Sequence, residues 1–405
     1  NVVSAVGSIE LQTIDSATTT AVSATIHNSV VNRYSATDGS TLDEDILIPA
    51  NISLIAADSL ILEAGDDISI EEGASLLAGD DLILKIDYSD ADVGTGARLD
   101  LEGAVQATSI YITGHRDDDE LIISPSSIVG PMSVQGDQDG LPGGMDSIVL
   151  NQMPTTASPI LLDGRGGTDN YTVNFTGTND YLVQVDDTGA PANGSDRLTL
   201  NATSSDDILL SRKKFVSLLQ PIEGYDPADP QFKTSHERVN YEQSINAQLR
   251  INALEGADQI YSDDNSAITT LDGGAGADHI QFGQLYGSPR LVDAVGVGDE
   301  FETTSTTQGH LSTGNSYPTT VYGSGGTDTI VVYSSRNQLS VSGGDGDDHF
   351  EVRGFSMDGP ELSYSSHSNI DIDGNAGTDT IGVLGTEEND AIVINKTHFN
   401  YANMN

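Results

Sequence analysis

Apolar residues along this chain recur at every second position in short runs, and the runs are separated by polar turns rich in glycine and aspartate. Ala56-Ala-Asp58-Ser-Leu60-Ile-Leu62, Ala64-Gly-Asp66-Asp-Ile68-Ser-Ile70 and Ala78-Gly-Asp80-Asp-Leu82-Ile-Leu84 share the pattern Ala-[Ala/Gly]-Asp-x-Φ-x-Φ, where Φ is apolar. Such alternation predicts strands with one buried face. The first and third copies start 22 residues apart, the length of one coil of a β-solenoid. Residues 99–101, 110–112 and 121–123 continue the series, and 21–26 alternate more weakly. No segment sustains a capped apolar period of 3.6, so very little helix is expected.

Further along, the turns take a stricter form. Gly-x-Asp-x-Φ stands at Gly144-Met-Asp146, Gly167-Thr-Asp169, Gly194-Ser-Asp196, Gly256-Ala-Asp258, Gly276-Ala-Asp278, Gly326-Thr-Asp328, Gly346-Asp-Asp348 and Gly377-Thr-Asp379. Five copies carry another glycine three places earlier: Gly164, Gly273, Gly323, Gly343 and Gly374. Residues 271–282 and 341–352 complete the nonapeptide Gly-Gly-x-Gly-x-Asp-x-Φ of calcium-binding parallel β-helices. Closely spaced glycines let the backbone turn its carbonyls inward, and the aspartate adds a carboxylate to that ring of oxygens. Asp258 and Asp278, and Asp328 and Asp348, lie 20 residues apart, so each pair is expected to stack on successive coils with calcium between the turns.

The candidate ligands are the carboxylates of Asp146, Asp163, Asp169, Asp196, Asp258, Asp272, Asp278, Asp328, Asp345, Asp348, Asp373 and Asp379. Carbonyls of Gly164, Gly167, Gly273, Gly276, Gly323, Gly326, Gly343, Gly346, Gly374 and Gly377 complete the set. The other six copies are degenerate, three of them with Arg165, Ser324 or Asn375 in place of the second glycine. Gly114-His-Arg-Asp117-Asp118-Asp119-Glu120-Leu121 reads either as a decayed turn, with Asp117 at the glycine position, or as a solvated acidic loop. Asp137 to Gly144 widens the turn that follows.

Two stretches break the pattern. Residues 217–240 hold Pro221, Pro227 and Pro230, which cannot donate to a ladder, and are expected to leave the solenoid as a loop or flap. Residues 286–320 form a second irregular insertion. A stretch starting at Asn201 and running through Asp206 and Ile208 to Phe215 is paralleled by one from Gly385 through Asp390 and Ile392 to Phe399, so a module of about two hundred residues is reiterated and the natural protein is expected to continue past Asn405.

Composition narrows the function. Sixty-two acidic residues against 16 basic leave a net charge of −46, which makes nucleic acid and anionic lipid poor partners. A surface so acidic repels itself unless cations neutralise it, a second reason to expect bound divalent metal. Aromatics make up 5% and Trp is absent, which suits a narrow aliphatic interior. With no cysteine, disulfide staples, thiolate metal sites and thiol catalysis are excluded. No apolar run approaches the roughly 18 residues needed to span a bilayer.

The Gly/Asp turns resemble those of the RTX (repeats-in-toxin) family of secreted bacterial proteins, and residues 45–130 resemble haemagglutinin-type β-helix coils of giant bacterial surface proteins and adhesins. The stretches between turns depart from the nonapeptide, which points away from a continuous toxin-type β-roll. The resemblance implies an all-β, right-handed parallel β-helix or β-solenoid with several bound Ca²⁺ ions and loop insertions. It divides into a β-rich segment 1–44, haemagglutinin-like coils 45–130 and RTX-like coils 131–405. The implied role is structural or adhesive at the bacterial cell surface (stalk, sheath, surface layer or filament), with self-association or other surface proteins and glycans as partners. The contrasting reading is a polysaccharide lyase or epimerase on the same fold, which needs a basic residue near a substrate carboxylate. Arg250, Arg290 and the Arg212-Lys213-Lys214 cluster are its candidates. No metalloprotease, nucleophile-elbow or phosphate-loop motif occurs, and His279 and His349, between the Asp and the apolar residue of their turns, are expected to point outward.

Overall fold

The computed structural model describes residues 2–5, 9–12, 24–25, 45–88, 94, 96–138, 143–189, 194–224, 226, 232–233, 235–241, 245–287, 301–358 and 367–386. These are all β, with no helix among them. Two long sheets of 13 and 15 strands run through the described residues, joined near the amino end by a sheet of five. A separate three-stranded antiparallel sheet is formed by Leu285–Tyr286, Thr303–Thr306 and Gly309–Ser312.

The chain visits the sheets in rotation. Ile68–Ile70 lies in the 13-stranded sheet, Ser75–Ala78 in the five-stranded one and Asp81–Lys85 in the 15-stranded one, after which Arg98–Leu101 returns to the first. Successive coils pair in parallel and put like on like: Leu54 on Leu76, Ala56 on Ala78, Leu60 on Leu82. Because strand side chains alternate, every second residue points inward, and stacking extends each inward position into a column. One such column runs Ile46, Ile68, Leu99, Leu121, Ile148, Tyr171, Leu198 and Leu249, all buried. Burying each aliphatic side chain stabilises by about 1.5–3 kcal/mol.

The five-stranded sheet ends at Ile128–Val129. In the next coil its place is taken by residues 151–159, where Pro154 and Pro159 remove ladder donors. From there each coil has two strands, as in Ser147–Leu150 and Ile160–Asp163, and two corners. Here the first corner is the link from the 15-stranded to the 13-stranded sheet, and the second corner is the return.

Both irregular stretches contain β-strands. Phe215–Leu218 and Glu237–Tyr241 are antiparallel neighbours inside the 15-stranded sheet, wedged between Tyr181–Val185 and Ile208–Arg212. So residues 217–218 and 237–240 belong to the solenoid wall, while Pro221 is bridged to Phe232 outside those strands. Pro227 and Pro230 lie outside the described residues. The 13-stranded sheet passes this level directly, Arg197–Asn201 pairing with Gln248–Asn252. The second insertion ends before Thr319–Gly325, which is a regular solenoid strand. The second copy of the duplicated stretch lies, after Thr386, outside the described residues. No helix in the described residues is long and apolar enough to cross a membrane.

Candidate metal centres at the corners

A chain that turns from one sheet to the other leaves a backbone N–H at the corner without a sheet partner. An aspartate one coil on supplies the acceptor. At the first corner the N–H of Asp119 donates to Asp146 Oδ1 (2.9 Å), that of Asp146 to Asp169 Oδ1 (2.9 Å), that of Asp169 to Asp196 Oδ1 (3.1 Å) and that of Asp196 to Asn246 Oδ1 (3.0 Å). At the second corner the series is Asp207 to Asp258 (2.7 Å), Asp258 to Asp278 (2.9 Å), Asp278 to Asp328 (2.9 Å), Asp328 to Asp348 (2.9 Å) and Asp348 to Asp379 (3.0 Å). All eight motif aspartates therefore stand on ladders, three on one corner and five on the other. The change of corner falls on the coil holding both Asp196 and Asp207, where the hairpin is inserted.

One carboxylate oxygen is thus used, and the other decides the chemistry. Oδ2 of Asp146, Asp169, Asp258, Asp278, Asp328 and Asp348 is buried without any hydrogen-bond partner, and none of these residues is more than 2% exposed. The ends of the ladders differ: Asp196 Oδ2 accepts from Asn246 Nδ2 (3.0 Å), and Asp207 Oδ2 accepts from the N–H (2.7 Å) and hydroxyl (2.8 Å) of Thr203. Burial pushes the Asp146 carboxyl up to about 10, Asp169 to about 8, Asp258 to about 7 and Asp328 to about 6, with neighbouring carboxylates adding to the shift. Asp278 and Asp348 are raised for the same first reason.

Five of the six orphaned oxygens face a glycine; at Asp258 the residue five places earlier is Ala253. A β-carbon built on Gly323 would lie 2.3 Å from Asp328 Oδ2 and 2.4 Å from the Gly343 carbonyl oxygen. On Gly343 it would meet Asp348 Oδ2 at 2.1 Å and the Gly374 oxygen at 2.8 Å, and on Gly273, Asp278 Oδ2 at 2.5 Å and the Gly323 oxygen at 3.1 Å. Carboxylate and carbonyl oxygens therefore converge where a side chain would otherwise sit. A hard cation that takes oxygen ligands fits such a cradle. The first glycine of the motif is required for this space and not for a left-handed φ.

A left-handed φ falls on the third glycine and also on the second position. Gly274 and Gly344 have φ of +92° and +111° there, and the replacements Arg165, Leu254, Ser324 and Asn375 adopt +74°, +79°, +75° and +66°. The degenerate turns keep the conformation of the full repeat.

The first corner of the later coils is a contrast within the same molecule. There Asn265 Oδ1 accepts from the N–H groups of Ser316 (2.9 Å) and Tyr317 (2.8 Å), and its amide donates to Thr269 (2.8 Å) and Thr319 (3.1 Å) hydroxyls. Ser335 donates to Asn315 Oδ1 (2.9 Å) on the next coil. Here neutral Asn, Ser and Thr side chains make the bonds between coils, beside the buried Asp263 and Asp264.

Other candidate ligands sit apart from the cradles. Asp163 accepts from the Thr188 N–H (2.9 Å) and hydroxyl (2.8 Å), and Asp272 from Ser324 Oγ (2.7 Å) and Arg250 (3.3 Å). Asp373 accepts from the Asn375 N–H (3.1 Å), and Asp345 is exposed. Glycines 167, 276, 326, 346 and 377 all have positive φ. Asp119, the aspartate of the turn that has Asp117 at its glycine position, joins the first ladder. Asp207, not Asp206, carries the rung at its turn, since Leu209 two places on is the inward residue; Asp206 instead accepts from the Ala257 N–H (2.8 Å). Asp187 has no motif around it, yet its carboxylate lies with those of Asp169 and Asp196 in a group whose oxygens are all within 4.8 Å of one another.

Of the basic candidates, Arg212 is buried on Asp263 (3.0 Å) and Arg250 pairs with Asn252 (2.7 Å) and Asp272. Arg290 lies outside the described residues. His349 is exposed beside the Thr380 hydroxyl, whereas His279 is half-buried near the Tyr261 ring. A groove of about 560 Å³ is lined by Glu72, Glu102, Gln152 and Asn179 among others, with no basic side chain in its lining. Compared with family models, curated proteins and solved structures, the chain matches none.

Proposed function

We propose that this chain is an RTX-type, right-handed β-solenoid stabilised by calcium, with a structural or adhesive role at the bacterial cell surface. The observation that carries the reading is the recurrence of an orphaned, buried carboxylate oxygen at the same point of successive coils, facing glycine carbonyls. An active site is unique, while a structural site repeats. Asp278 with Gly273 and Gly323, Asp328 with Gly323 and Gly343, and Asp348 with Gly343 and Gly374 are the residue sets that would hold the ions. A bound divalent cation supplies positive charge that keeps these carboxylates ionised and ties one coil to the next. The chain's own residues contribute the spacing, the left-handed turns and the exclusion of water.

The acidity supports an extracellular setting, because sites of this class work at calcium concentrations of about 10⁻⁴ to 10⁻³ M. Rods of this kind, with a net charge of −46, associate side by side or end to end only where cations bridge them. The test is a calcium titration of the full chain followed by far-UV circular dichroism, with magnesium as control. A cooperative gain of β signal with calcium and not magnesium is the expected result. Full β signal in excess chelator, unchanged by calcium, would sink the reading.

A further inference from the structure

We infer that Asp187, Asp169 and Asp196 form a second kind of cation site, built from a residue outside the repeat and filled before the corner cradles. The inference rests on the calcium reading above and adds a site that the turn motif does not encode.

The geometry has three parts. Carboxylate oxygens of the three residues lie within 4.8 Å of one another. Asp169 Oδ2 is wholly buried and unpartnered. Asp187 is held toward it from its own loop: Tyr171 donates its hydroxyl to Asp187 Oδ2 (3.1 Å), the Gly189 N–H donates to Oδ1 (3.2 Å), and neighbouring Thr188 is fastened to Asp163. Asp196 is fixed by Asn246 and by the Asp169 N–H. A loop is therefore anchored by several hydrogen bonds in order to bring a third carboxylate against two others. Like charges this close repel unless a cation lies among them.

The ligand class follows from the donor set. All donors are oxygen, which selects a hard cation, and three carboxylates concentrate more negative charge than a cradle with one carboxylate and carbonyls. Affinity for calcium rises with that charge count, so this site takes the first equivalent. It also lies where the first-corner ladder ends at Asn246. Loading it would close residues 186–189 onto the last rungs of that ladder.

Equilibrium dialysis of radiolabelled calcium against the chelator-stripped full chain, compared with Asp187→Asn and Asp278→Asn variants, tests this. Wild type should show one tight equivalent ahead of weaker ones. Asp187→Asn should lose the tight class at least tenfold in affinity and keep the weaker sites, whereas Asp278→Asn should keep the tight class and lose weaker binding. Terbium emission excited through tyrosine should fall in Asp187→Asn, because Tyr171 touches the site. Unchanged binding and emission in Asp187→Asn, with loss in Asp278→Asn, overturns the triad and leaves the cradles standing. No calcium binding by wild type overturns both.

Discussion

At the scale of single residues, the two oxygens of each corner aspartate have different fates. Oδ1 is a structural acceptor and would be served equally by asparagine, as Asn246 shows by accepting from the Asp196 N–H at 3.0 Å. Oδ2 explains why aspartate is used. Glu237 gives the comparison: it is fully buried too, yet it accepts from Thr176, Asn179 and Tyr181, so its charge is answered by hydrogen bonds. Oδ2 of the corner carboxylates has no such partner, and without a cation burial makes these groups hold their protons to higher pH. The sign of the pH dependence follows. In the unfolded chain these groups ionise near pH 4, while in the calcium-free fold burial holds Asp328 to about 6, Asp258 to about 7 and Asp169 to about 8. Below about pH 4 both states are protonated; above it the unfolded chain releases protons that the fold retains. Each such group therefore costs the apo fold about 1.4 kcal/mol per pH unit until its own folded value is passed. In chelator, thermal melting should fall in temperature between pH 5 and pH 8, and saturating calcium, which binds the ionised form, should reverse that trend. A melting temperature that climbs with pH in chelator would mean that the carboxylates already have a positive partner.

At the scale of elements, the hairpin wedge is the main departure from a regular coil. Ile208–Arg212 and Phe215–Leu218 are buried on both faces, since Ile208, Leu210, Phe215 and Leu219 form a small outer core with Phe232 and Tyr261 against them. Arg212 sits between the two insertions, 5.5 Å from the Phe215 ring centroid and 4.7 Å from that of Phe301, with its Nε on Asp263. Asp263 in turn accepts from Gln284 (2.9 Å), just before the second insertion, and from Tyr286 (2.8 Å) at its start. Removing one member of a buried ion pair strands the other charge, so Arg212→Ala should destabilise by about 3–5 kcal/mol. Denaturant midpoints in saturating calcium would show it, and Arg212→Met combined with Asp263→Leu should recover much of the loss. An unchanged midpoint in the single variant would show that the insertions do not depend on this joint. The sequence made strands and coil length legible, because alternation and the 22-residue step are local. The corner to which a turn belongs was not, because Gly-x-Asp-x-Φ looks the same before either sheet. The wedge was hidden for a similar reason: antiparallel return of Phe215–Leu218 depends on pairing with residues 237–241, and the prolines between them pointed to a loop.

At the scale of the whole molecule, stability is distributed unevenly along one continuous aliphatic interior. Coils from Ile46 to Thr113 are filled by Ile, Leu, Val and Ala on three walls. Orphaned carboxylates of the ladders begin only at Asp146, and four of the six lie between Asp258 and Asp348. There the inward column loses apolar mass, with Thr269 and Thr319 stacked where earlier coils carry Ile, Leu or Tyr. In a solenoid each coil contacts only its neighbours, so loss of the proposed ions would act at their own coils and spread by nearest-neighbour coupling. Amide exchange with and without chelator should therefore leave strands within 46–113 protected while those within 269–353 exchange freely, with the boundary falling near the wedge, where the two ladders part. Equal loss of protection in both halves would mean that the coils unfold as one unit, and that the interior columns carry coupling far beyond adjacent coils. Retained protection throughout would place the stability in the aliphatic columns and the neutral Asn and Ser corner, with the aspartates tolerated as buried acids.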